Sequence, residues 1–130
     1  MTFPLPLPLE GDRVRIDPAD AGGEARLVRL TDGARAGFVR AHRDGHELTM
    51  DALVVEPALR GYGLGSEAAL LLRRAAEQDG VTLLRAWAPP DIGLAVYFWC
   101  RMGLHPLHGP GPDSGLAFER RLTAPPGDRA

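Results

Sequence analysis

The chain has 130 residues, of which 45% are hydrophobic and 25% charged, with a net charge of −2. That is enough for one domain with a real core. The charge balance offers no electrostatic footprint for nucleic acid or an anionic membrane. The 15 basic residues are all Arg, and Lys and Asn are absent, which fits GC-rich codon usage better than fifteen selected phosphate contacts. A lone cysteine, Cys100, forbids an intrachain disulfide and suits a reducing compartment. No apolar run approaches the roughly 20 residues of a membrane span, and no signal-peptide pattern opens the chain. The expectation is a cytoplasmic protein.

In chain order, Met1 to Leu9 alternates Pro with Leu and reads as an extended arm, because proline fixes φ and removes donors. The expected division is an arm at 1–11, one domain at 12–122 and a frayed tail at 123–130. Asp12 to Ile16, Ala25 to Leu30, Ala34 to His42 and Glu47 to Val55 read as four strands. The turn-rich connector Asp17 to Glu24 and turn signals at Thr31-Asp32-Gly33 and Arg43-Asp44-Gly45 join the four into an antiparallel meander. Ser66 to Asp79 reads as a helix capped by Ser66, with Glu67 at its positive end and Gly80 as its stop. Arg73 and Arg74 read as solvent-facing. Val81 to Ala88 reads as a buried strand, making a parallel crossover with the strand before the helix. A second helix is expected from Ile92 to Met102 behind Pro89, Pro90 and Asp91. Closing strands are expected at Leu104 to His108 and Ser114 to Leu122. The fold class is α/β, a mixed and mostly antiparallel sheet with helices packed on it.

The stretch from Leu53 to Arg74 carries the chemistry. An apolar strand ends at Pro57, and Arg60 precedes three alternating glycines, Gly61, Gly63 and Gly65, before the helix. First-turn amides have no partner within a helix, and the dipole puts positive charge at the same end. Glycines let a phosphate approach that backbone, and Arg60 adds a fork of donors. A phosphate or pyrophosphate ligand is expected there. A Walker loop is excluded because no Lys follows the last glycine. A Rossmann fingerprint fits poorly. The spacing is Gly-x-Gly-x-Gly, and Val81 to Ala86 supplies no carboxylate. A glycine-rich turn with no ligand is the bland alternative.

Val55-Glu56-Pro57 followed by Arg60-Gly61-Tyr62-Gly63-Leu64-Gly65 resembles motif A of the GNAT superfamily of acetyl-CoA-dependent N-acetyltransferases. The resemblance covers about Ala52 to Leu104. It implies the GNAT fold and acetyl-CoA as co-substrate. The cofactor site would be Val54, Val55, Arg60, Gly61, Tyr62, Gly63, Leu64, Gly65 and Ser66. A splayed pair of parallel strands would admit the pantetheine arm. It also implies an N-acetyltransferase acting on a primary amine by direct attack, and by family habit a homodimer. A non-catalytic acyl-CoA-binding module of the same fold is the alternative.

The late family helix is similar to Ala95 through Leu104, with two departures. Ile92 stands at the family's Asn position, and Trp99 stands where a Tyr protonates the departing thiolate. Indole cannot take that role, so Tyr97 is the candidate acid. Trp99 reads as packing beside the cofactor arm. Candidate bases are Asp51, Glu47 and Glu56, each acting through water. Cys100 reads as a buried, inert thiol, and His105 and His108 as loop histidines; no metal is expected. Only about eight residues separate Ile16 from Ala25, too few for the two helices that family members place after their first strand.

Overall fold

The computed structural model describes residues 3–19, 23–61, 63–88, 98–107 and 116–122. Among them, eight strands form one sheet in the order β1-β2-β3-β4-β5-β6-β8-β7. The strands are β1 (Leu9–Glu10), β2 (Val14–Pro18), β3 (Glu24–Arg29), β4 (Arg35–Asp44), β5 (Glu47–Val55), β6 (Leu83–Ala88), β7 (His105–Pro106) and β8 (Leu116–Arg121). The first five run as an antiparallel meander. The turn between β4 and β5 is Gly45–His46, with Gly45 at φ 60°. Left-handed φ at that point matches the twist of a two-residue hairpin. The expected meander is therefore present, and it gains a short first strand from the end of the proline-rich arm.

Helix α1 (Leu64–Gln78) crosses from β5 to β6. Its buried residues Leu64, Ala68, Leu72, Ala75 and Ala76 keep helical spacing on one stripe. Alanines there let the helix lie close on Val14, Ile16, Leu48, Met50 and Leu53, which join it in one core cluster. Phe98, Trp99 and Met102 belong to the same cluster, and residues 98–101 are helical. Both helical segments thus lie with one face of the sheet. The other face carries Arg15, Arg26, Phe38, Arg40, His42, Thr49 and Asp51, all outside that cluster.

β5 and β6 are parallel, as expected, and pair only from Glu47↔Leu83 to Met50↔Ala86. Beyond Met50, β5 keeps β4 on one side and, among the described residues, has no strand on the other. β6 has β8 on its other edge along its whole length. Asp51 through Val55 thus present a free edge roughly 16 Å long at the usual rise of a strand. The β4–β5 register shifts at the same level. Arg40 faces Ala52 and Ala41 faces Met50, leaving Asp51 as the extra residue of a bulge.

The extended arm packs on the domain where it is described, with Leu5 4% exposed within the core cluster. Several expectations are corrected. Gly63, not Ser66, is the N-cap of α1, and Ser66 lies in the first turn. Arg73 is not turned to solvent: its Nε–H bonds Glu77 Oε1 and its Nη1–H bonds the Met102 carbonyl. Cys100 is free and exposed, not buried. His105 lies in β7, and His108 falls outside the described residues.

Candidate active site

The site grows from the free end of β5. Val54 and Val55 pair with Phe38 and Gly37 of β4. The approach is so close that a Cβ on Gly37 would stand 1.9 Å from the Val54 carbonyl oxygen. A single 3-10 turn, Pro57–Leu59, then redirects the chain into the glycine loop. Arg60 holds this corner, its Nε–H donating to the Val55 carbonyl at 3.0 Å. Gly61 and Gly63 have φ of 89° and 77°, a region other residues rarely enter. Leu64, Gly65 and Ser66 follow as the first turn of α1, where amides have no acceptor within the helix.

A pocket of 370 Å³ opens between Val55, Arg60, the three loop glycines, Ser66 and Phe98. Gly65 lines it, and a Cβ there would meet Phe98 Cζ at 2.3 Å. A second groove of 550 Å³ adjoins it through Gly63 and Ser66 and reaches Arg13, Arg74 and Arg101. This larger groove lies at the positive end of the helix, whereas the smaller pocket joins that end to the free strand edge.

Glu67 fastens the loop to the sheet. Its Oε2 accepts the Arg13 N–H at 2.8 Å and the Val14 N–H at 2.7 Å. Sequence reasoning placed Glu67 at the positive helix end but had no means of seeing these partners, which lie 53 and 54 residues away.

The candidate catalytic residues separate. Asp51 stands at the bulge where β5 leaves β6, and its Oδ2 lies 2.7 Å from His42 Nδ1. Glu47 is opposite Leu83, at the closed end of the parallel pair. Glu56 is exposed past the strand end, its N–H donating to the Ala36 carbonyl. Tyr97 and Tyr62 lie outside the described residues. Trp99 is fully buried and its indole N–H donates to the Trp87 carbonyl at 3.2 Å. It is a core residue whose only donor is spent. Among the described residues, no three His, Cys, Asp or Glu side chains gather as a metal site. No described helix is long and apolar enough to cross a membrane.

The model of the acetyltransferase (GNAT) family matches residues 2–103. The chain belongs to this family. Solved structures carry the same fold at low identity. A GNAT-family acetyltransferase from Bacillus anthracis superposes with a TM-score of 0.73 at 11% identity, covering 88% of this chain and 98% of that one. The ribosomal-protein-S18-alanine N-acetyltransferase of Escherichia coli gives 0.65 at 17% identity, covering 94% and 77%. The PaiA N-acetyltransferase of Thermoplasma acidophilum, solved with coenzyme A, gives 0.64 at 15% identity, covering 78% and 62%. No curated protein sequence matches. In this GNAT chain, five residues at most, Ala19 to Gly23, join β2 to β3, so the two helices usual at that place have no room.

Proposed function

We propose that this GNAT protein transfers the acetyl group of acetyl-CoA to a primary amine. The observation that carries the reading is the free edge of β5 leading, through one 3-10 turn, to a glycine loop at a helix N-terminus. Acetyl-CoA is a rod with an anionic centre and an amide-rich arm. The amides of Gly63, Leu64, Gly65 and Ser66, with Arg60 beside them, suit the pyrophosphate. Val54 and Val55 suit the amides of the pantetheine arm, in the manner of strand addition. Arg74, exposed in the adjoining groove, suits a further phosphate.

The transfer needs little covalent help. An ammonium acceptor loses a proton, its lone pair forms the C–N bond, and the thioester C–S bond breaks to leave coenzyme A thiolate. The amide nitrogen's remaining surplus proton and the thiolate are matched through solvent or an acid, for which Tyr97 is the candidate. Positioning of the amine against the thioester supplies much of the effect. Asp51 is the candidate carboxylate nearest the opening of the strands, and Glu56 is the candidate at its far end.

The alternative is a module that binds acyl-CoA without turnover. The burial of Trp99 at the place of the family's acid favours it. Thiol release from acetyl-CoA in the presence of spermidine, kanamycin, an N-terminal alanyl peptide or a lysine peptide tests the choice. Release that depends on one of these amines supports the transferase, and tight acetyl-CoA binding without release supports the module.

A further inference from the structure

We propose that His42 is the base that takes the acceptor's proton and that Asp51 positions it, an assignment that rests on the acetyltransferase reading. His42 lies on β4 opposite Thr49, and Asp51 is the extra residue of the β5 bulge. Strict alternation puts Asp51 on the face of Thr49, the partner of His42, and the bulge leaves Asp51 there as the unpaired residue between Met50 and Ala52. Its carboxylate lies 2.7 Å from His42 Nδ1. An ionised carboxylate only accepts, so the proton between them sits on Nδ1. That leaves Nε2 of a neutral imidazole with its lone pair available, the tautomer a general base requires.

The location fits the task. Asp51 directly follows Met50, the last β5 residue paired with β6, so the pair stands at the level where the strands part. It lies on the sheet face away from α1, while the glycine loop lies at the N-terminus of α1. An acceptor amine arriving over the polar face would therefore meet the pair as it reaches the thioester. The His42 side chain is 59% exposed and reachable. Among the described residues, the charged groups of this face around the pair include Glu24 on β3, Arg40 and Asp44 on β4, Glu47 on β5, Arg85 on β6 and Glu119 on β8. Arg40 is engaged with Glu24 and lies over the Phe38 ring, and Glu47 faces Arg85. Asp51 is the carboxylate bonded to the imidazole.

The step balances as a proton transfer. His42 Nε2 takes one proton from the ammonium and becomes imidazolium, and the freed amine forms the C–N bond as the C–S bond breaks to release coenzyme A thiolate. The acylated nitrogen's second proton passes through solvent to that thiolate, and the imidazolium returns its proton to solvent. Asp51 gains no proton and holds the ring throughout.

Two measurements test this. Nitrogen-15 NMR of the histidine rings in the free protein reads the tautomer without any acceptor. The neutral His42 ring is expected in the Nδ1–H form, and that preference is expected to weaken in Asp51→Asn. A wild-type His42 ring in the Nε2–H form overturns the proposal. The second measurement is thiol release with the amine panel above, alongside acetyl-CoA affinity. His42→Ala is expected to keep acetyl-CoA affinity, to lose about 100-fold in kcat, to lose the rising limb of its pH–rate profile, and to regain activity with added imidazole. Asp51→Asn is expected to lose less. A wild type that turns over with His42→Ala equally fast contradicts the base and leaves the transferase reading intact. A folded wild type that does not bind acetyl-CoA contradicts the transferase reading itself, and the base with it.

Discussion

The ring of Phe98 lies across Gly65, so that a Cβ added at Gly65 would stand 2.3 Å from Phe98 Cζ and 2.4 Å from Cε1. A helix otherwise disfavours glycine by up to about 1 kcal/mol, and here the lost side chain is what lets the late helix close over the loop. Gly65→Ala is expected to lower stability by roughly 1–3 kcal/mol through overpacking. Phe98→Ala in the same chain is expected to relieve the clash. Denaturant unfolding of both single variants and the double variant reads the coupling, and strict additivity would refute the contact.

Glu67 tests the fastening of the loop to the sheet. Its carboxylate is 16% exposed in side-chain terms and takes two backbone N–H groups. Removing an acceptor from such donors costs about 1–3 kcal/mol. Glu67→Ala is expected to fall in that range by urea unfolding. Arg13→Ala, which keeps both backbone donors, is expected to stay near wild type.

Among the described residues, Trp99 is the largest fully buried side chain. Trp99→Ala is expected to lose about 3–5 kcal/mol, as large core truncations do. A loss under about 1 kcal/mol would place Trp99 outside the core. Trp99→Phe keeps most of the packing but leaves the Trp87 carbonyl without its donor, and thermal unfolding is expected to rank it between the two.

The turn at Asp32 carries a pH dependence. The Arg29 guanidinium, hydrogen-bonded to the carboxylate, and then the Ala34 N–H hold Asp32 down to about 2. The ionised form is favoured in the folded state. Its contribution is present above the ordinary carboxylate range near 3.8 and is lost as pH falls through about 2. Asp32 is exposed, so the effect is small and screened by salt. Asp32→Asn is expected to flatten the acid limb of the melting temperature below pH 4. An unchanged limb would remove Asp32 from it.

What could be read from the sequence was local. The alternating glycines, the apolar strand before them and the 3.6-residue period after them all lie within one stretch. The loop, α1 and the parallel crossover followed from these. The cap was misread because Ser66 is the better capping side chain, whereas the chain starts its helix at Gly63, where left-handed backbone is needed. The Pro/Leu alternation showed an extended arm, but not that Leu5 enters the core, because what an extended segment packs on lies outside the segment. Arg73 and Cys100 were misplaced because the face a helix residue presents depends on its neighbours. Arg73 reaches the Met102 carbonyl, 29 residues on. The His42–Asp51 contact needed the β4–β5 register, which is not written in any single strand.

The most direct measurement is a calorimetric titration of acetyl-CoA into the purified chain, with Gly63→Glu as the control. Gly63 has φ 77° at the N-cap of α1, and a glutamate there would add negative charge to the anion site. Circular dichroism establishes that both proteins are folded. The expected result is micromolar binding by the wild type, about 8 kcal/mol, and its loss in a folded Gly63→Glu. A folded wild type that gives no binding heat and no protection against thermal unfolding at millimolar acetyl-CoA would contradict the cofactor site, and with it the transferase.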